Sequence, residues 1–567
     1  MSKQPDIQSP LGSVASPLLD ADPSEATGDE FERRPVPESS RKGPSAFWGM
    51  YAGEHTAGTE FMIGPLFVAW GASAFDLIFG LLLGNLLAVL SWRFLTAEIA
   101  TRRRLTLYYQ LERICGRNLA VGYNLLNGVL FCFLAGAMVT VSATAVGLPF
   151  GDSIRMPSFS DTLPTGFAWC ATCLAIAALM TFVAIRGYGF VARVGHVSAP
   201  WMFLVFVACG VVMLGKLGTA NLWDLIKPPA GAASRIGFWG VVFFSWFCNA
   251  AVHIGMSDLS ILRFARKASY GWASAAGMLL GHYIAWICAA LLLVYWVRER
   301  GADPVIGVAP GPMVFDAVGW AGLVCVIVAG WTTANPTIYR AGLAFQGMLP
   351  ALSRSKATAI AGLVCGIASM FPAFAMKLLD FVGIYGTLLC PVGAIIVVDH
   401  FLAKRLGIPS DYASRFASRT NVPALIAWSI PVSVGMWFYA AKDVPPFFLP
   451  LPCWITCGLL YIVLIKLLEP SRETALLSEN RSQVDRLSEI ATVDRGFGYK
   501  GEAATGPISN SRRFMGMLAI AALVATLVPP ILFALQILGE SGMKTILLVG
   551  AVGWFSAAPF WLRGGGD

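Results

Sequence analysis

Long apolar windows separated by short polar ones run along most of this chain, a pattern of repeated membrane spans. Fourteen windows are read as transmembrane helices: 47–70, 76–99, 119–147, 165–185, 197–215, 236–262, 271–297, 313–341, 357–376, 379–402, 422–441, 445–467, 514–538 and 545–562. A polar stretch, 468–511, sets the last two apart. The expected class is an all-α polytopic membrane protein. Three windows carry more polar residues than a lipid-facing helix tolerates. The sixth, within Phe238–Ala268, holds Asn249, His253, Gly255, Ser257 and Asp258 before the basic run Arg263, Arg266 and Lys267. In the first, Gly49, Gly53, Gly58 and Gly64 alternate with Glu54, His55, Thr56, Thr59 and Glu60. The eighth carries Thr332, Thr333 and Asn335 just before Pro336. Unpaired polar groups at that depth cost several kcal/mol, so such spans face protein, water or a ligand.

Composition agrees: 56% of the 567 residues are hydrophobic and 13% charged, against about a quarter charged in soluble proteins. Loop charge tests the topology. With the N-terminus in the cytoplasm, 31 of the 41 Lys and Arg fall in or beside cytoplasmic segments, Arg340 among them. Nine fall outside and Arg93 lies within a span. That bias fits fourteen spans with both termini in the cytoplasm. The net charge of +8 needs no nucleic-acid partner to explain it. Residues 1–45 lack an early apolar core, so no cleavable signal is expected and they read as a disordered cytoplasmic tail. Segment 101–118 is either a helix in the membrane interface or an ordinary charged loop. The twelve cysteines are scattered, and neither Cys170/Cys173 nor Cys453/Cys457 is joined by further ligands, so they read as small buried hydrophobes rather than a zinc site.

The chemistry follows from the polar spans. Glycines let a helix break and turn backbone carbonyls and dipole ends toward an ion or solute. Glu60 is deep enough to act as a proton carrier or polar ligand, whereas Glu54 and His55 sit nearer the cytoplasmic end and either gate or pair with each other. The hydroxyls of Thr332 and Thr333 are reasonable ligands for a hard cation such as Na⁺, although threonines also bond back to their own helix. Pro336 is expected to kink that span. Trp246 and Phe247 flank the sixth-span break, where flat rings stack a heterocycle. Asp399 and His400, at the end of the tenth span, read as gate or interface residues. His282, Asn85 and Glu98 read as helix–helix contacts.

PVPESSRKGPSAFW (35–48), the broken first span, DLSILRFARK (258–267), TTANPTIY (332–339) and CPVGAIIVVDHFLAKR (390–405) together resemble nucleobase–cation symporter family 1, its cytosine and purine permease-like branch above all. The likeness covers about residues 33–467. It implies an inverted repeat of five plus five transmembrane helices, the LeuT-like fold of the APC superfamily. On that basis 46–217 and 235–403 are the two repeats and 420–467 holds peripheral helices eleven and twelve. The stretch 468–511 is a cytoplasmic linker, and 512–567 adds two C-terminal helices beyond the usual twelve. The resemblance also implies alternating access with Na⁺ or H⁺ as coupling ion. It casts Trp246, with Phe247 beside it, as the stacking residue and Asn335 or Tyr339 as the substrate-bonding group. It makes Thr332 and Thr333, with carbonyls near Gly53 and Thr56, the cation site, and pairs Asp258 with Arg263. Two features depart from the family. The third span supplies only Asn127, Phe131 and Phe133 where a Trp is usual, and Glu54, His55 and His253 are additional.

The expected function is a symporter importing a nucleobase or related small nitrogen heterocycle, such as cytosine, a purine, hydantoin or allantoin. The substrate-facing candidates are Trp246, Phe247, Asn249, His253, Glu60, Asn335, Tyr339 and Asn127. Glu54, His55, Asp258, Arg263 and Asp399 are candidates for gating or coupling. A monomer in a plasma membrane, the bacterial inner membrane in particular, is expected, with no cofactor and no metal beyond Na⁺. An amino-acid or osmolyte symporter of the same fold, or a sensor that binds without transporting, are the alternatives. No acid–base–nucleophile set occurs at a spacing that suggests an enzyme.

Overall fold

The computed structural model describes residues 30–157, 161–218, 221–227, 236–303, 309–373, 378–442, 444–468 and 510–562. Most of the polar linker and residues 1–29 of the expected tail lie outside these. Among the described residues eleven helices are long and apolar enough to cross a membrane. They are Asp76–Arg103, Arg117–Phe150, Phe167–Ile185, Tyr188–Leu217, Ala268–Arg300, Trp320–Met348, Phe381–Leu406, Val422–Ala441, Pro446–Leu467, Asn510–Ala534 and Glu540–Leu562. The ninth window holds a shorter helix, Arg354–Ser369. The first and sixth are each interrupted. The first runs Ser45–His55 and restarts at Glu60–Ala69. The sixth runs Phe238–Phe247, makes single turns at Ala250–His253 and Leu259–Leu262, and has irregular turn backbone between. The eighth is preceded by Pro310–Val318, with Gly319 at φ 65° turning the corner. It then continues unbroken through Pro336.

Backbone glycines let helices approach. A Cβ on Gly53 would lie 2.6 Å from the Gly195 Cα, so the first and fifth spans meet backbone to backbone. The third and eighth spans lie along one another, and the ninth packs on the third. Tyr51, Trp92, Trp201 and Trp286 are fully buried among these helices.

Segment 101–118 contains a helix rather than forming an ordinary charged loop. Thr106 caps the helix Leu107–Cys115 by accepting from the Tyr109 N–H at 3.2 Å. The apolar side, Leu107, Tyr108, Leu111, Ile114 and Cys115, is buried in protein. The N-terminal stretch from Glu30 is likewise fixed, against the expectation of disorder up to 45. Arg41 donates to the Ala265 carbonyl at 2.6 and 2.9 Å, and Arg33 to Glu112 at 2.9 and 3.1 Å. Polar residues are retained there because the ends of the sixth span and of Leu107–Cys115 offer carbonyls and carboxylates.

The two C-terminal helices form a hairpin on the fifth span. Trp554 donates to the Val197 carbonyl at 2.9 Å, beside Pro200, and Lys216 pairs with Glu540 at 3.1 Å and with Asp316 at 3.2 Å.

Replacing Gly195 with Val should lower the thermal unfolding midpoint of the purified protein. The new side chain would start 2.9 Å from the Gly49 carbonyl oxygen and force the first and fifth spans apart, a strain of about 1–3 kcal/mol. An unchanged midpoint would contradict the close approach.

Candidate transport site

Each break in a membrane helix frees backbone groups that need partners. After His55 the chain leaves the helix at Thr56, φ −94° and ψ 58°. A Cβ on Gly58 would sit 3.1 Å from both the Gly330 nitrogen and the Val326 oxygen, so glycine is what lets this break rest on the eighth span. In the sixth span Met256 takes φ 67°, unusual for a residue with a side chain. The freed carbonyls are taken up by neighbours: Thr96 donates to His253 O at 2.6 Å and Trp454 to Ile254 O at 3.0 Å. His253 Nε2 lies 2.7 Å from the Trp246 carbonyl. It thus bridges the break from within, which accounts for an imidazole that the resemblance left unexplained.

The first break and the eighth span bring oxygens together. Thr333 Oγ1 lies 2.7 Å from the Glu54 carbonyl and 3.0 Å from the Ala329 carbonyl, and Thr332 Oγ1 is 3.1 Å from the latter. Thr56 Oγ1 is buried nearby in the sequence with no partner. Two carbonyls and two hydroxyls make an oxygen set that suits a small hard cation, with the softer Met202 Sδ 3.8 Å from Thr332 Oγ1 at its edge. Gly53 packs on Gly195.

Below this lies an ion cluster. Arg340 pairs with Glu54 at 2.5 and 3.1 Å and with Asp258 at 2.5 Å. Asp258 also accepts from Tyr51 Oη at 2.5 Å and from Trp92 Nε1 at 2.6 Å. Arg340 and Asp258 are 0% exposed and Glu54 7%. Counting Arg340 among loop cations places it at a span end, but the helix runs on to Met348 and carries it two turns inside. Arg263, expected to pair with Asp258, instead donates to Ser260 O at 3.1 Å and Phe31 O at 2.7 Å. The likeness of DLSILRFARK to a family motif pointed to the nearer arginine in sequence, whereas helix packing chose the distant one. Asp399 belongs to a separate cluster, 3.1 Å from Arg103 and accepting from the Asp411 N–H at 2.7 Å.

Glu60 opens the second half of the first span. It accepts from Trp286 Nε1, and its other oxygen lies 3.5 Å from His282 Nε2. The His55 and His282 rings are 5.0 Å apart. His282 is therefore a helix–helix contact as expected, with Glu60 as the partner.

Trp246 stacks on Phe247 at 4.4 Å and donates to Ser91 Oγ at 3.1 Å. Together with Leu95, Phe243, Leu451 and Trp454 it packs against the cluster of Phe247, Ala250, Ile254 and Cys390. A different aromatic pair bridges the third and tenth spans: Phe131 and Tyr385, 5.7 Å apart. Tyr385 Oη is buried without a partner, as are Asn335 Oδ1 and Nδ2, Asn249 Nδ2, Asn127 Oδ1 and Tyr339 Oη. Asn127 donates to Tyr108 Oη at 3.1 Å, and Tyr108 to the Arg340 carbonyl at 2.9 Å. Burial pushes the Tyr108 hydroxyl above its ordinary range, which keeps it a neutral donor. Buried polar groups rarely stay unpaired, so these groups, spread over the third, sixth, eighth and tenth spans, hold spare hydrogen-bonding capacity. Tyr385 carried no signal in the sequence, since a Tyr in an apolar span most often packs. A cavity of about 620 Å³ opens elsewhere, between Lys42–Ala46, the fifth and eighth spans and the last helix, and does not touch these groups.

No family model matches the sequence, and no curated protein matches it. Solved structures do match in shape. A closed conformation of Mhp1, a nucleobase-cation-symport-1 family transporter with bromovinylhydantoin bound, is 16% identical, with TM-score 0.60, over 79% of this chain and 98% of that one. Its inward-facing conformation gives 17% identity and TM-score 0.58 over 81% and 97%. A Na⁺-coupled sialic acid symporter in a substrate-bound, outward-open state gives 13% and 0.55 over 79% and 94%. The fold is thus that of a multi-pass membrane protein of the LeuT-like type, helical among the described residues and shared with these transporters. The likeness to Mhp1 agrees with the family resemblance read from the sequence.

Arg340→Met alone leaves two buried carboxylates unmatched and should cost about 3–5 kcal/mol. Size-exclusion and thermal unfolding should show loss of the monodisperse protein. Adding Glu54→Gln and Asp258→Asn should restore it. Equal behaviour of the single and triple variants would refute the cluster's role.

Proposed function

We propose that this protein is a cation-coupled secondary transporter that imports a small, planar, neutral nitrogen heterocycle by alternating access. The observation that carries the coupling is the oxygen set of Glu54, Ala329, Thr332 and Thr333, formed between the broken first span and the eighth. A Na⁺ there would link a helix break to the helix it rests on. It would thereby favour one conformation over another, which is what coupling requires. Residues 46–217 and 235–403 are read as the two inverted repeats, and the helices beyond 512 as additions. Both termini are placed in the cytoplasm on the charge bias, and the functional unit is taken as a monomer in a plasma membrane.

The substrate class rests on the unpartnered groups. Asn335, Asn249 and Asn127 offer amides, Tyr385 and Tyr339 offer hydroxyls, and Phe131 with Tyr385 offers aromatic faces. Amide edges and ring faces suit a hydantoin, a nucleobase or a ureide such as allantoin. A carboxylate substrate fits less well, because the cation among these spans, Arg340, is already matched by Glu54 and Asp258. That weighs against an amino-acid symporter. Trp246, Phe247 and His253 are then read as supporting the sixth-span break, and Glu54, His55 and Asp258 as coupling residues.

In a thermal-shift screen of nucleobases, hydantoins, ureides and amino acids, stabilisation should occur with a heterocycle and should grow with Na⁺. Uptake of that heterocycle in proteoliposomes should lose Na⁺ stimulation at least about tenfold in Thr332→Ala/Thr333→Ala, the loss of roughly 1.4 kcal/mol or more of binding. Full Na⁺ stimulation in the double variant would overturn the cation assignment. Stabilisation by amino acids alone would overturn the substrate class.

A further inference from the structure

We propose that Glu60 and His282 form a proton-binding site, separate from the threonine cation site, and that a proton crosses with the cation in each cycle. This rests on the symporter reading above. Glu60 and His282 are each 3% exposed. One Glu60 oxygen accepts from Trp286 Nε1 and the other lies 3.5 Å from His282 Nε2, while the His282 ring stacks on Trp286 at 4.2 Å. The titratable groups that face the pair are few. His55, at the end of the preceding helix, has its ring 5.0 Å from His282. Cys248 of the sixth span has Sγ 3.8 Å from His282 Nδ1. Glu54 acts on His282 from farther off, with its own charge met by Arg340. Among the described residues no Lys or Arg pairs with Glu60.

The local charges then point to a proton. Arg340 meets Glu54 and Asp258, and the buried Arg263 turns to the Ser260 and Phe31 carbonyls. Glu60 is left, among the described residues, with no Lys or Arg against it. A single proton, on the carboxyl or shared with His282, makes the Glu60–His282 pair neutral. A segment that reorients within lipid favours that state, because an unmatched charge there is costly. The seventh span is shaped for the contact: between Ala276 and Ala285 it winds in wide i→i+5 turns, a local form often found at functional sites. Gly277 and Gly281 leave room for His55 against it.

The test counts protons on the full-length protein. Purified protein in weakly buffered detergent is shifted from about pH 6 to about pH 9, with a pH-indicator dye reporting release; model groups that titrate in this interval are histidines and cysteines. Wild type should release about one more proton per chain than Glu60→Gln, and His282→Gln should also change the release. Equal release from wild type and both variants overturns the site. If Glu60→Gln does not purify as a monodisperse species, the His282→Gln comparison decides alone. In a second arm, proteoliposomes loaded with the dye receive Na⁺ and hydantoin, cytosine or allantoin. Wild type should acidify the lumen during uptake, and Glu60→Gln should lose that acidification. Uptake by wild type without acidification overturns the coupling. No uptake of any probe, with the difference in proton release intact, instead fails the symporter reading and leaves the proton site standing.

Discussion

One guanidinium holds the centre of this protein together. Arg340 reaches from the eighth span to Glu54 on the first and Asp258 on the sixth, and all three are buried. Their desolvation is tolerable only because each charge is met at hydrogen-bond distance and Tyr51 and Trp92 complete the shell of Asp258. The two interrupted helices thus meet through a third that is continuous. Any motion that separates the first span from the sixth on this side must also disengage Arg340. The cluster is therefore both a structural tie and a place where conformational change is felt.

The breaks themselves are stable because other spans supply what the helix gives up. Thr96 and Trp454 satisfy carbonyls of the sixth span, and Thr333 that of Glu54. His253 closes back on Trp246. Irregular backbone at membrane depth survives when it is enclosed in protein in this way. Asn249 at the sixth-span break, and Asn335 and Tyr385 on unbroken helices, keep unused hydrogen-bonding capacity in the interior. Structural support and ligand capacity are divided among neighbouring residues of the same segments, so a role in one does not imply a role in the other. Trp246 illustrates the point. It flanks the break, yet its ring stacks on Phe247 and its Nε1 donates to Ser91 of the second span.

The last two helices add a second anchorage. They grip the fifth span through Trp554 beside Pro200 and through Lys216 at its far end. A span that packs on the first helix by glycine contact is thereby also held from outside.

Much of the architecture was legible in the chain itself, because the bilayer imposes a one-dimensional rule: apolar length makes a span, and polar residues within it mark a break. Gly53–Glu60 and Cys248–Asp258 betrayed the two interruptions, and Thr332 with Thr333 stood out as hydroxyls in an apolar run. What only the tertiary structure decided was pairing. Asp258 chose Arg340, 82 residues away, over Arg263, five residues away. His282 met Glu60 across 222 residues of chain. Tyr385, one tyrosine among many, ended beside Phe131 with its hydroxyl unspent. Composition and spacing report how costly it is to place a group in the membrane. Which group offsets that cost depends on distances that exist only once the helices have packed.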